Sequence, residues 1–353
     1  MRAAFLLFCL VAGAAPMVQG QELAREVHLA SDSLDPDLAY QRAMDALQKH
    51  KWTVADSLLR RAIQIDPHHA LAYYALGALP YQREPRLREK VMKNKVPDNR
   101  RDAVAEASRF ARMAMLLDPV GALQSERELF PLALYGRNLS EKDKARLPAG
   151  FFYARAESFI RYQEYEPAVA DLEEVMARWS SAGDSLPTNT VIPLALNEVR
   201  YLVAVLEARL GRTADAQSLF EQVLTQDLGM YMAHVQLAAI HEENGAWNAA
   251  VRERARAVEA DPADPALKFE LGRALARAAQ LAEADTVLAQ AVEQNPHNAA
   301  YVYAVAQVRQ ALGDTARAVQ GYRHFLAIAP SILGPDIRRA HTALAELGGS
   351  AAH

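Results

Sequence analysis

Asp261-Pro262, Asn295-Pro296 and Ala329-Pro330 set three prolines at intervals of 34 residues. A fixed period of this length is the mark of a supersecondary unit that cannot bury its apolar face alone and must stack on copies of itself. The rest of the period keeps step. Ala250, Ala284 and Ala318 lie twelve residues before the prolines, and Ala257, Ala291 and Phe325 five before. Leu237-Ala238, Leu271-Gly272 and Val305-Ala306 occupy equivalent places in the first half of each unit. Gly245 and Gly313 fall midway, where a left-handed residue ends a helix at low cost. Each period therefore predicts two helices, A and B, joined at that glycine, with proline stopping helix B.

The frame recurs upstream with more drift. Asp35 to His69 holds Ala55, Leu59, Ala62 and Asp66-Pro67; Leu71 to Leu79 begins another helix A, with Tyr73, Leu76 and Gly77; its helix B is displaced to Arg101–Leu117 and ends in Asp118-Pro119. Further units run from Ala149 to Ser180, with Phe152, Ala156, Phe159, Ala168 and Leu172, and from Asn197 to Asp227, with Gly211, Ala216, Phe220 and Val223. This pattern resembles the tetratricopeptide repeat (TPR) family over nearly all of the chain after residue 20, most strongly over Gly229–Pro330. The resemblance implies an all-α fold: a right-handed α-solenoid of about seven TPR-like helical hairpins closed by a C-terminal capping helix. The expected organisation is a signal peptide at 1–20; N-terminal repeats at 21–120 with a basic insertion at 80–100; an irregular connector at 121–148 with a short helix near Ser140; one repeat at 149–182; a polar linker at 183–196, where the array could part; four repeats at 197–332; and a cap and tail at 333–353.

Residues 1–20 differ from the rest. Met1-Arg2, the apolar run Ala3 to Gly13, and Val18-Gln19-Gly20 before Gln21 have the layout of a bacterial signal peptide cleaved after Gly20, so the chain is expected to be exported to the periplasm or beyond. Cys9 is the one cysteine of the chain and lies in that run, preceded by Leu7-Phe8 rather than the small residues a lipoprotein signal requires. The mature chain would then hold no disulfide, thiolate nucleophile or cysteine metal site. With 23% charged residues and a net charge of −4, the chain as a whole is neither disordered in composition nor a polyanion binder, and nucleic acid is not an expected partner.

No catalytic, cofactor or metal constellation is legible. His241-Glu242-Glu243 lacks the second histidine four residues on that a zinc-protease helix needs. The adjacent His68-His69 would point two ways and make a poor chelate, and there is no glycine-rich phosphate loop. What recurs instead is one helix-A position, occupied by Tyr40, Tyr74, Tyr153, Tyr201, Val235, Phe269 and Tyr303. In the TPR family the A helices line the concave face, so these side chains either form an aromatic ladder along a groove or pack between successive A helices. One turn or more along fall Arg161, Arg209, Arg273 and Arg277, and tyrosine with arginine is the composition of binding hot spots.

The insertion is a second candidate. Between Tyr81 and Arg101 lie Arg83, Arg86, Arg88, Lys90, Lys93, Lys95, Arg100 and Arg101 against Glu84, Glu89 and Asp98, a net +5 able to meet an acidic partner or anionic lipid headgroups. The expected function is a non-catalytic protein-interaction scaffold of the cell envelope, with a protein or peptide partner of unknown identity. Two alternatives stand beside it: a small-ligand receptor or enzyme accessory with a site formed by 121–148, and a self-assembling structural repeat protein.

Overall fold

The computed structural model describes residues 35–92, 95–124, 139–181 and 194–350. They form seven helical hairpins and a closing helix, with no strand among the described residues. Unit 1 is α1 (Pro36–Gln48) and α2 (Trp52–Ile65); unit 2 is α3 (Ala70–Arg83) and α5 (Asp98–Leu117), with α4 (Pro85–Met92) between them. A connector follows, α6 (Pro119–Gln124) and α7 (Glu141–Lys144). Unit 3 is α8 (Ala149–Arg161) and α9 (Tyr165–Ser181); unit 4, α10 (Leu196–Arg209) and α11 (Thr213–Gln226); unit 5, α12 (Tyr231–Glu243) and α13 (Trp247–Ala260). Unit 6 is α14 (Pro265–Arg277) and α15 (Leu281–Gln294); unit 7, α16 (Ala299–Ala311) and α17 (Thr315–Ile328); a turn of 3-10 helix at Ser331–Leu333 leads into the cap, α18 (Gly334–Ser350). The solenoid expected from the period is thus the observed fold.

Each hairpin closes on small side chains. Ala43 and Ala55 hold the crossing positions of unit 1, as Ala156 and Ala168, Ala204 and Ala216, Ala238 and Ala250, and Ala306 and Ala318 do in units 3, 4, 5 and 7, and every one of these alanines is fully buried. Small residues let two helix axes approach, and larger ones further along then interlock as ridges in grooves. Gly77 is the extreme case: a Cβ there would lie 3.0 Å from the backbone nitrogen of Ala111, which identifies α5 as the displaced second helix of unit 2.

The tight turn inside every hairpin except unit 2 holds one left-handed residue. Gly211, Gly245 and Gly313 supply it with φ of 76°, 70° and 77°. His50, Gln163 and Ala279 hold the same conformation in units 1, 3 and 6, at 54°, 60° and 61°. Several A helices begin on a side-chain cap. Asp35 accepts from the backbone N–H groups of Asp37 (2.9 Å) and Leu38 (3.1 Å), Asp264 from Ala266 (2.8 Å), and Asn298 from Ala300 (3.0 Å). Among the repeat prolines, Leu228 takes the place 34 residues before Pro262 and is 76% exposed in the turn.

The array is interrupted between units 2 and 3. There α6 packs on α3 and α5 on one side and on α8 on the other. By contrast α9 packs directly on α10, so units 3 and 4 stack on each other and the parting considered at the polar linker does not occur. Residues 1–34, 125–138 and 182–193, which include the expected signal peptide, half of the connector and most of the linker, lie outside the described residues.

Candidate partner-binding surface

In units 6 and 7 the A helices touch each other directly, with the rings of Phe269 on α14 and Tyr301 on α16 stacked at 4.7 Å between centroids. This close approach puts the A helices on the inner side of the curve. Units 1 and 2 lie against that inner side rather than prolonging it. From α5, Arg112 donates through Nε to Glu198 of α10 at 2.7 Å and makes a second, shorter contact through Nη2. The Tyr201 hydroxyl donates to the Leu116 carbonyl at 3.0 Å. Leu116, with Met113 and Leu117, joins the apolar core of α10, α11 and α12, and Met115 and Val120 join that of units 3 and 4.

This docking sorts the aromatic ladder. Tyr153 and Tyr201 are 2% and 1% exposed, so both are core side chains and neither offers a surface to a partner; the physical reason is the cover provided by α5 and α6. Burial first, then the Glu157 and Glu198 carboxylates, push the Tyr153 phenol well above its usual range. Tyr201 is likewise raised by burial, which its hydrogen bond with Gln236 only partly offsets. Tyr40 is half-buried with its ring against His69 (5.2 Å), and Tyr74 and Val235 are half-buried in α3 and α12. Phe269 and Tyr303 are half-buried too, Tyr303 resting on Phe325 at 4.7 Å and Tyr322 at 5.9 Å.

The arginines divide similarly. Arg209, Arg273 and Arg277 are exposed and Arg161 is half-buried. Arg273 lies over the Phe269 ring (5.6 Å) and pairs with Glu270 (3.1 Å), while Arg277 lies over Trp247 (5.7 Å). These contacts hold both guanidinium groups beside aromatic faces, Arg273 on its own helix and Arg277 at the start of α13. Units 6 and 7 therefore leave Phe269, Arg273, Arg277 and Tyr303 exposed or half-buried, whereas the ladder positions of units 3 and 4 belong to the core.

The insertion is largely helical. Leu87, 1% exposed, anchors α4. Glu84 takes both Lys90 (3.3 Å) and Arg100 (3.0 Å), and Arg101 pairs with Asp98 (2.9 Å). Arg83, Arg86 and Lys95 are exposed; the Arg88 side chain and Lys93 lie outside the described residues.

Three features escaped the sequence reading. Arg155 and Asp171 form a buried pair between α8 and α9, at 2.7 and 2.5 Å. Unit 5 carries a polar core: His234 lies 2.8 Å from Glu253, and Arg254 donates twice to Glu242 at 3.0 and 3.2 Å. His68 reaches Asp264 across the molecule, at 2.6 Å, while His69 turns the other way, to Asp37 at 3.2 Å. The two histidines diverge as adjacent residues should, and among the described residues no group of three or more metal-ligating side chains forms.

Residues 243–308 match the family model of the tetratricopeptide repeat. No curated protein matches the chain. Among solved structures, MamA residues 41 to the end from Desulfovibrio magneticus RS-1 are similar at 20% identity and a TM-score of 0.42, over 51% of this chain and 94% of that one. YrrB, a TPR protein with an unusual peptide-binding site, is similar at 20% identity and a TM-score of 0.41, over 55% of this chain and 90% of that one. The family match falls on α13, α14, α15 and most of α16, so the resemblance to the tetratricopeptide repeat is carried by this stretch of the all-helical solenoid that the described residues form.

Proposed function

We propose that the chain is an exported, non-catalytic interaction scaffold that seats a protein or peptide partner on the inner face of units 6 and 7. The observation that carries this reading is the placement of exposed Arg273 over the half-buried Phe269 ring and of exposed Arg277 over the half-buried Trp247 ring. Rigid aromatic faces with cations held beside them lose little conformational freedom when a partner binds. Placement in the cell envelope rests on the pattern of Met1-Arg2, the apolar run and Gly20-Gln21. The insertion, with Arg83, Arg86, Lys95, Arg100 and Arg101 on its exposed side, offers a separate basic face for peripheral contact with an acidic partner or anionic lipid.

The test is crosslinked capture from the native cell envelope with the chain from Gln21 and with an Arg273→Ala/Arg277→Ala variant. If each arginine contributes as a hot spot, at about 2 kcal/mol, capture of the partner falls by a factor of about 30 or more while the helical signal is unchanged. Equal capture by both chains sinks the assignment to units 6 and 7.

A further inference from the structure

The turn between units 1 and 2 meets the C-terminal array in one cluster. His68 Nε2 lies 2.6 Å from Asp264 Oδ2, a contact between residues 196 positions apart. The His68 ring also stacks on Tyr231, with centroids 6.1 Å apart and planes 17° from parallel. Beside it the Asn295 side-chain amide donates to the Ile65 carbonyl at 3.4 Å. Asp264 is 8% exposed, and its two oxygens do different work: Oδ1 caps α14 by accepting from Ala266, and Oδ2 faces His68. His69 is committed elsewhere, accepting from the Ala72 backbone N–H at Nδ1 (3.1 Å) and facing Asp37 at Nε2.

We propose that the His68–Asp264 contact is a proton-controlled latch, which holds units 1 and 2 against the inner ends of α12, α14 and α16 at mildly acidic pH and loosens as the pH rises. Release uncovers Tyr231, Tyr301 and Asp264, and so lengthens the open inner face of the array.

The groups facing His68 are few. Its own turn gives Asp66, and α3 gives Tyr73. Tyr231 comes from α12, Asp261 and Asp264 from the turn into α14, Lys268 and Glu270 from α14 itself, and Tyr301 from α16. Lys268 is spent on the Pro262 carbonyl (2.5 Å). Glu270 already has Arg273 at 3.1 Å and Arg254 at 3.9 Å. Burial, the largest influence, pushes the phenols of Tyr73, Tyr231 and Tyr301 up, so they stay neutral. Asp66 accepts from the His68 backbone N–H at 2.9 Å and Asp261 from that of Ala263 at 3.3 Å, so Asp264 is the carboxylate in hydrogen-bond reach of the imidazole.

The sign follows from the two partners. Burial opposes charge on His68 most, but the hydrogen bond and charge of Asp264, with Asp66 and Glu270 added, outweigh it and raise the imidazole above its ordinary 6.5. The ion pair's contribution is then complete below pH 6.5 and is lost as the pH climbs through the raised value. Burial likewise raises the Asp264 carboxyl, but His68 and the backbone N–H groups of Ala266 and Leu267 outweigh it and hold it below its ordinary 3.8, so it stays ionised across this range. A neutral histidine can still donate one hydrogen bond to the ionised Asp264, but the attraction between two opposite charges is gone.

Hydrogen exchange of the full chain at pH 5.5 and 8.5, corrected for intrinsic rates, tests the latch. The expected result is a fall in protection of residues 70–76 and 265–270 at the higher pH, with α11 unchanged as the internal control. His68→Gln should show the low protection at both values. Asp264→Asn, which keeps the cap, should do the same and serves if the histidine variant loses its helical signal. Equal wild-type protection at both pH values, or a pH dependence that survives in both variants, overturns the latch.

Discussion

At Ala279 the chain holds a left-handed φ of 61° at the turn position where units 4, 5 and 7 have glycine. A Cβ in that region is strained by roughly 1–2 kcal/mol, while glycine loses more backbone entropy on folding, so the net is smaller. Ala279→Gly should stabilise the protein by up to about 1 kcal/mol, and Gly245→Ala should destabilise it by a similar amount, because a Cβ at Gly245 meets nothing within 4 Å and the cost is backbone alone. Urea denaturation of the pair checks both signs. Gly245 was legible as a turn from its type and its place in the period. The role of His68 was not, since its partner is 196 residues away and nothing local marks either residue.

At the scale of the element, units 3 and 5 solve the same packing problem with charge. Arg155 and Asp171 are 7% and 6% exposed and are ringed by Phe151, Phe152 and Phe159 within 5.5 to 5.7 Å of the guanidinium carbon. Burial raises the Asp171 carboxyl, and Arg155 offsets this only in part, a sign that the pair is costly to desolvate. Arg155→Ala, which strands the carboxylate, should then cost about 3–5 kcal/mol, whereas the double change Arg155→Leu/Asp171→Leu should be close to neutral or stabilising. Thermal unfolding of the three chains decides this; a double variant as unstable as the single one refutes it. The apolar frame of these hairpins was readable in Ala156, Phe159, Ala168 and Leu172. The ion pair was not, because Arg155 and Asp171 fall at positions that a helical wheel assigns to no special class.

For the whole molecule, the first two units are attached differently from the rest. Units 3 to 7 stack helix on helix, but units 1 and 2 join them through α6, the apolar side chains at the end of α5, and contacts such as Arg112–Glu198 and His68–Asp264, with unit 1 furthest from the shared cores. In a linear array stability is a sum of unit and neighbour terms, so a unit with a weak neighbour term opens first. Native-state hydrogen exchange should show α1 to α3 opening at a lower free energy than α10 to α15. A single cooperative opening energy across all seven units would refute that.

The 34-residue period determined the stacked hairpins and most of the alanines at their crossings, because those features depend on helix periodicity and on contacts within a unit or with the next one. It left the fate of the tyrosine ladder open between groove and packing. Only the tertiary structure decided that Tyr201 is capped by Leu116 and that His68 faces Asp264. The reason is geometric: the connector after Leu117 breaks the stacking and turns units 1 and 2 inward, and the resulting contacts join residues 85 and 196 positions apart, beyond the reach of any periodicity in the chain.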